Sequence, residues 1–443
     1  MQGGNIWVHI DNSTAWHMNL RNKTAVTHHD VPCPFCSLLC DDLAIQELDG
    51  KLKITSNGCH KAVCQFERPV QKLEPRIKGK VCTLNDAILH AAKILRSSRQ
   101  PLFAGLGTDI GGLRSAIALA EQTGGILDHM HSDAAMHNIK VLQDQGWVMT
   151  TLAEIKNRAD LIMFVGTDAT TNYPRFFERF VWNKYSLNNI RQRNIVFIGD
   201  NLDKQRGISP SGRKPVNIHC KQKYVGEIIA TLHALVVGNK IKKTSVGGLP
   251  LSVLEKLAVT MTRARYGAVI WAPGELDLAH AELTIQSLCE LIKYLNRTTR
   301  FAGLSLGGND GGASAINVCT WLSGYPLRIS YTTGAPEYNP YRYSTTRILQ
   351  QNEVDALVWI SSFGTEKSPP QINAPTIILS DRPVKSDRVP VVFIPVATPG
   401  IHHKGQLVRT DNVVSLRLKG IIHSQHESVS VVLDRILQSI QVA

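Results

Sequence analysis

The 443-residue chain is 43% hydrophobic and 19% charged, ordinary proportions for a folded protein, and it is too long for one simple core, so disorder is not the default and two or three domains are expected. No apolar run approaches the ~20 residues that span a bilayer, and the first thirty residues lack the basic-then-apolar order of a secretory signal. A cytoplasmic protein with no membrane association is the expectation. The net charge of +13, from 49 basic and 36 acidic residues, favours acidic partners. Aromatic residues are scarce at 6% and do not interleave with the basic ones, which argues against a stacking platform for nucleic acid.

Residues 1–30 show neither helical nor strand periodicity and read as an N-terminal extension. Residues 31–78 read as a small cysteine-rich module. Within it, apolar Leu43, Ile45, Leu52 and Ile54 flank Asp49-Gly50, a pair that tolerates the positive φ of a tight hairpin turn. Residues 79–245 read as a first α/β domain. Thr83 caps a helix running to Leu95, Pro101–Ala104 is a short strand, and a helix follows over 112–122. Asp160–Val165 and Asn194–Ile198 are buried strands, and Val225–Val237 is helical. The polar, basic stretch 239–249 marks a boundary, and residues 246–443 repeat the pattern as a second α/β domain. Its helices are Leu251–Arg263, Leu276–Leu295 and Val429–Ile440. Its strands are Ala268–Trp271, Phe301–Leu304, Asp355–Ile360, Thr376–Leu379 and Val391–Val396. The alternation predicts an α/β protein with two parallel-sheet lobes and a β-hairpin module at the N-terminal side.

Six of the nine cysteines crowd one end of the chain. Cys33-x2-Cys36-x3-Cys40 with Cys59 beyond the hairpin has the spacing of a loop that wraps thiolates around a metal, with a distant fourth ligand. An iron–sulfur cluster, a zinc ion and four unligated thiols all fit this spacing. Asp41-Asp42 reads as a turn or a solvated face, and the His131, Ser132, Asp133 and His137 grouping as chance proximity in sequence rather than a triad. The loop Leu306–Gly312 is glycine-rich without a dinucleotide or Walker spacing and reads as a strand-to-helix turn, and Asp200 ends a strand as a turn residue. Lys204, Arg206, Arg213 and Lys214, with Lys240, Lys242 and Lys243, are candidates for a basic patch.

Several stretches in this order resemble the B subunit of formylmethanofuran dehydrogenase, a relative of the molybdopterin oxidoreductases. They are CPFCSLLCDDLAI at Cys33–Ile45, NGCHKA at Asn57–Ala62, SGYPLRISYTTGAPEYNPYRYS at Ser323–Ser344 and PGIHHKGQLVRTDNVVSLRLK at Pro399–Lys419. The resemblance implies a molybdopterin-oxidoreductase-like fold and makes Cys33, Cys36, Cys40 and Cys59 the candidate ligands of a four-iron cluster. Active members hold a tungsten or molybdenum pterin through a cysteine or selenocysteine followed by His-Gly-Pro. That position falls near His131–Asn138, where this chain reads HSDAAMHN and has no thiol. The pterin is therefore expected to be absent and no catalytic residue is assigned. The reading narrows to the B subunit of the bacterial formyltransferase/hydrolase complex, a structural component of tetrahydromethanopterin-linked one-carbon metabolism. Its implied partners are metallohydrolase-like and formyltransferase subunits and a formyl-carrying furan coenzyme with glutamyl chains. The alternatives are an active dehydrogenase subunit and a zinc-containing nucleic-acid-binding protein.

Overall fold

The computed structural model describes residues 25–442 apart from 70, 189, 191, 277, 278, 365, 366 and 387. The chain begins with a three-stranded antiparallel sheet of β1 (Val26–Val31), β2 (Leu43–Leu48) and β3 (Lys51–Ser56), in that order. Asp49 and Gly50 both take positive φ, 52° and 73°, the pattern whose twist matches the flanking strands. β1 corrects the expected extension over residues 1–30. It is an edge strand with only Val31 buried, so it carries no alternation to read. The remainder of that extension, residues 1–24, lies outside the described residues. Helix α1 (His60–Phe66) follows and buries Ala62 and Phe66.

The next elements are the hairpin β4 (Arg76–Ile77) and β5 (Lys80–Val81), α2 (Leu84–Ser97), β6 (Pro101–Gly107), α3 (Ile110–Thr123), β7 (Ile126–Leu127) and α4 (Ser132–Gln145). Thr83 caps α2, its hydroxyl accepting from the Asp86 amide. There follow α5 (Leu152–Arg158), β8 (Leu161–Val165), a π-helical turn (Phe177–Val181), β9 (Asn194–Ile198), β10 (Val216–Ile218) and α6 (Val225–Val237). The hairpin β11 (Ser245–Val246) and β12 (Leu249–Pro250) leads to α7 (Leu251–Arg263), β13 (Gly267–Trp271), α8 (Ala281–Leu295), β14 (Phe301–Ser305) and α9 (Gly312–Ser323). The rest comprises β15 (Ile329–Ser330), β16 (Glu337–Tyr338), α10 (Thr345–Gln350), β17 (Ala356–Ser361), β18 (Thr376–Ser380), β19 (Val392–Pro395), the hairpin β20 (Gly405–Val408) and β21 (Ser415–Leu418), and α11 (Val429–Gln441).

Two larger sheets carry the body. One has five strands in the order β10-β9-β8-β13-β14, all parallel. The other has nine in the order β16-β15-β7-β6-β17-β18-β19-β4-β5, with a parallel centre and antiparallel edges. Central strands β6, β8, β13 and β17 are buried at every position, as continuous apolar runs between helix layers require.

The lobes do not follow the boundary expected near residue 245. The five-stranded sheet takes β8–β10 from before it and β13–β14 from after it, while the nine-stranded sheet takes β6 and β7 from one end of the chain and β17–β19 from the other. The first of these lobes is thus inserted into the second. A polar break such as 239–249 marks a surface turn, here the β11–β12 hairpin, and sheet membership is decided by pairings far apart in sequence. Each sheet also reverses its winding once. β8 to β10 step one way and β13 to β14 the other, and β6 to β7 step away from β17 to β19. Such reversals open a crevice at the carboxyl ends of the strands, the common ligand position in open α/β sheets.

Candidate metal centre

Residues 33–40 form a tight loop. The Cys33 amide donates to the Cys40 carbonyl at 2.8 Å, the Leu39 amide donates to the Cys36 carbonyl at 3.1 Å, and Leu39 itself takes φ +47°. The hairpin then returns the chain to Cys59 at the start of α1. Cys33, Cys36 and Cys40 are buried and Cys59 is partly buried, all packed in the cluster that holds Phe164, Phe176 and Phe197. Burial pushes Cys36 up to about 12, with further elevation from the nearby Cys40 and Cys59. Burial and then the neighbouring Cys36, Cys40 and Cys59 also raise Cys33 well above the usual thiol range. Cys40 is raised by burial but held back by the charges of Arg179 and Arg175. The structure thus brings the four thiols within electrostatic reach of one another. Among the described residues, no three His, Cys, Asp or Glu groups are set to hold a metal ion. The donors have the chemistry of a thiophilic site without closing a cage around a single ion.

Asp41 is exposed, as expected of a solvated face, and Asp42 is partly buried, but both are tied to arginines. Asp42 receives Arg175 through both oxygens, at 2.6 and 2.8 Å, and Arg179 at 2.7 Å, while Asp41 receives Arg179 at 2.6 Å. Burial would raise the Asp42 carboxyl, but the hydrogen bonds from Arg175 and the charge of Arg179 outweigh it and hold the carboxyl below its usual range. Sequence reading missed both arginines, which lie more than 130 residues away.

The glycine-rich loop supports the cysteine loop from beneath. Asn309 Oδ1 accepts from the Ser37 amide at 3.0 Å, the Ser37 hydroxyl donates to the Gly307 carbonyl, and Thr410 bridges the two, its amide donating to the Ser37 carbonyl at 2.9 Å and its Oγ1 accepting from the Gly307 amide at 3.2 Å. Gly311, at φ +76°, has no room for a Cβ, which would meet the Thr108 carbonyl at 2.5 Å. The closing Arg-x-Asp segment has a plain structural use. Arg409 grips the buried Asp411 at 2.9 and 2.8 Å, and Asp411 accepts from the Leu152 amide at the start of α5.

The HSDAAMHN stretch begins helix α4. His131 Nε2 meets Asp310 Oδ2 at 2.7 Å, and His137 Nδ1 meets Glu282 Oε2 at 2.6 Å. Asp133 pairs with Arg328, and Asn138 donates to Ser305 Oγ and accepts from the Trp271 indole at 2.9 Å. Ser132 Oγ accepts from Arg328, so Ser132, Asp133 and the two histidines form no triad. Behind them His129 is buried; burial and then the neighbouring His131 push it down to about 4. Asp128, also buried, is raised by burial despite the nearby Arg328, and accepts from Thr345 twice at 2.8 Å.

Hydrogen bonds tie the loops at both winding reversals. At β8/β13, Asp168 accepts from the Thr170 amide at 2.7 Å, the Thr170 hydroxyl at 2.9 Å, the Thr171 amide at 3.2 Å and the Asp203 amide at 3.0 Å. Glu275 is tied across by Asn172 at 2.8 Å and, at its carbonyl, by Gln222 at 3.0 Å, and Leu276 packs over Gly166. At β6/β17, the Ser362 amide and hydroxyl both donate to the Gly107 carbonyl, at 2.7 and 2.9 Å. Asp109 caps its own helix through the Gly112 amide, and Gly405 lies against it. Asp168 is the carboxylate at the reversal, and Asp200 lies in the bend after the neighbouring strand β9, as the turn residue expected there. The polar run after the apolar strand ending at Val165 was the available signal.

In the basic loop, Arg213 is tied to Asn194 Oδ1 at 3.1 Å and to the Arg193 carbonyl, and Arg206 and Lys214 are exposed. Lys243 pairs with Glu227 at 3.3 Å. No helix of the described residues is long and apolar enough to cross a membrane.

No family model matches the chain. The B subunits of two tungsten-containing formylmethanofuran dehydrogenase 2 enzymes are similar over most of it. That of Methanocaldococcus jannaschii is 24% identical over 411 residues, 89% of this chain and 93% of the relative. That of Methanococcus maripaludis is 23% identical over 416 residues, 90% and 95%. The B subunit of the formyltransferase/hydrolase complex Fhc of Methylorubrum extorquens is 27% identical over 286 residues, 65% of this chain and 74% of the relative. Among solved structures, the FhcABCD complex of M. extorquens, determined with methylofuran, superposes with a TM-score of 0.70 at 24% identity, covering 83% of this chain and 99% of that one. Acetylene hydratase from Pelobacter acetylenicus gives a TM-score of 0.60 at 9% identity, over 94% and 69%. By fold the chain is molybdopterin-oxidoreductase-like, and by sequence it is a homologue of the B subunits of formylmethanofuran dehydrogenase and of Fhc.

Proposed function

We propose that this chain is a non-redox structural subunit of a formyltransferase/hydrolase complex in tetrahydromethanopterin-linked one-carbon metabolism. The observation that carries the reading is the start of α4. Where the resemblance puts a metal-ligating thiolate, the chain has no cysteine between Cys82 and Cys220, and its His, Asp and Asn side chains are engaged with other protein groups. Oxygen and imidazole donors already committed to hydrogen bonds do not replace a soft sulfur ligand.

In this reading the chain docks the metallohydrolase-like and formyltransferase subunits and supports a furan coenzyme whose glutamyl chains meet its basic surface. The Fhc relative of similar fold was determined as an FhcABCD complex with methylofuran. Cys33, Cys36, Cys40 and Cys59 form a thiol set for an iron–sulfur cluster, zinc or no metal at all, and as placed they do not close around a single ion. Expression with the neighbouring subunits tests the role: the chain is expected to co-purify in a stable hetero-oligomer. A stable monomer indifferent to those subunits would overturn the reading.

A further inference from the structure

We propose that Asp41 and Asp42, held by Arg175 just before the π-helical turn and by Arg179 on it, form a lock that keeps the cysteine loop assembled and closed to solvent. The proposal rests on reading Cys33, Cys36, Cys40 and Cys59 as one site.

Asp42 lies two residues past Cys40, whose carbonyl closes the loop. Its carboxylate takes three guanidinium hydrogen bonds from residues 133 and 137 positions away, so the exit of the loop is pinned to a different part of the fold. Arg175 is only 5% exposed and spends its remaining reach on Glu178, at 2.6 and 3.3 Å. A guanidinium that deep has little water to fall back on, which separates this contact from an ordinary surface ion pair.

The base under the arginines is rigid. Phe177 stacks on Phe164 at 5.0 Å and Phe176 meets the same ring edge-on at 5.9 Å, with Phe180 and Val181 buried beside them. The π-helical turn, a geometry that recurs at functional sites, thus buries its aromatic face while Arg175 and Arg179 meet Asp42 together. The middle of the loop is fixed independently, through Ser37 on the glycine-rich loop. The loop is therefore held at two points, and the carboxylate–guanidinium contact is the one that opens without disturbing a buried backbone.

The test uses the full chain, freed of metal. Asp42→Asn removes the charge and keeps the shape. Arg175→Lys keeps a charge and loses the two-pronged fork. Asp41→Asn is a milder variant at a half-exposed position, and Arg158→Ala breaks the exposed Arg158–Glu154 pair as a control. Thiol labelling is followed at each cysteine by mass spectrometry, and cobalt(II) is titrated in while its thiolate absorption is recorded. Asp42→Asn and Arg175→Lys are expected to speed labelling of Cys36 and Cys40 by about tenfold or more, as a local opening does. Asp41→Asn should give a smaller rise and the control none. Buried Cys289 and Cys319 gauge global unfolding and should not change. Unchanged labelling of Cys36 and Cys40, or labelling that rises in step with Cys289 and Cys319, overturns the lock. If labelling responds as expected but the unaltered chain takes up no cobalt, the lock stands and the metal reading falls. If cobalt binds the unaltered chain and the variants alike, with unchanged labelling, the lock falls and the metal reading stands.

Discussion

The cysteine loop and the start of α4 face the same glycine-rich segment, Leu306–Gly312, and have opposite characters. In the loop, Cys33, Cys36 and Cys40 are gathered and buried, and burial first, then the neighbouring thiols, raises Cys33 and Cys36 out of the usual thiol range. At α4, hard donors are paired off: His131 with Asp310, His137 with Glu282, Asp133 with Arg328. A region whose polar groups satisfy one another contributes to stability but has nothing left to offer a ligand. A region of desolvated thiols contributes little beyond its apolar burial. The contrast sets a cluster of desolvated thiols beside a helix start held by paired polar groups.

The sharpest way to break this comparison is at Arg328, which is 5% exposed and contacts Asp128, Asp133, Ser132 and the Pro340 carbonyl. Arg328→Ala leaves the buried Asp128 without its nearby charge, and a loss of about 3–5 kcal/mol in denaturant unfolding is expected, as when one member of a buried pair is removed. Asp128→Asn in the same background should recover part of it. A loss within that of a surface substitution would show that α4 is not held by its polar network.

The next effect is a pH dependence. His129 is held neutral in the folded chain, its pKa lowered from 6.5 to about 4 by burial and by His131. Its contribution is fully present above about 6.5 and is lost as the pH falls towards 4, because the unfolded chain binds the proton that the folded chain refuses. The total is on the order of 3 kcal/mol between those limits. Equilibrium unfolding from pH 7 to 4 checks it, and His129→Asn should flatten that part of the profile. Identical slopes for both proteins would remove His129 from the account.

On the other side of the comparison, Cys33→Ala in metal-free protein should cost only about 1 kcal/mol, the value of a small buried group that makes no strong hydrogen bond. A loss approaching that of Arg328→Ala would mean the thiols are structural in their own right. The smallest effect is electrostatic. Reversing the charges of Lys204, Arg206 and Lys214 should weaken binding of acidic partners or glutamyl chains at low salt, by ~0.2–1 kcal/mol for each pair lost, and matter less as the Debye length shortens. Calorimetric titration at two ionic strengths checks this, and no change at either would leave the loop a solvated face.

Much of the frame was legible because it rests on local signals. Buried strands such as Leu161–Val165 are unbroken apolar runs, Asp49-Gly50 announces its turn, and α6 and α7 have the expected bounds. Helix α4 escaped because its first turns carry His, Ser, Asp and Asn, a composition that reads as loop until tertiary partners satisfy it. β1 escaped because an edge strand has no buried face to alternate with. The lobe boundary was misplaced because chain order does not reveal an insertion. In the site, the spacing of Cys33, Cys36, Cys40 and Cys59 was visible. The Asp42–Arg175 contact was not, since nothing local distinguishes a buried arginine from a solvated one.

In the proposed reading the chain shares the fold of its dehydrogenase relatives but holds no tungsten or molybdenum pterin. Elemental and pterin analysis of the complex, purified with its native partners, tests it most directly. The account predicts no stoichiometric tungsten, molybdenum or pterin on this chain. One equivalent of either metal bound to it, with pterin, would contradict the account.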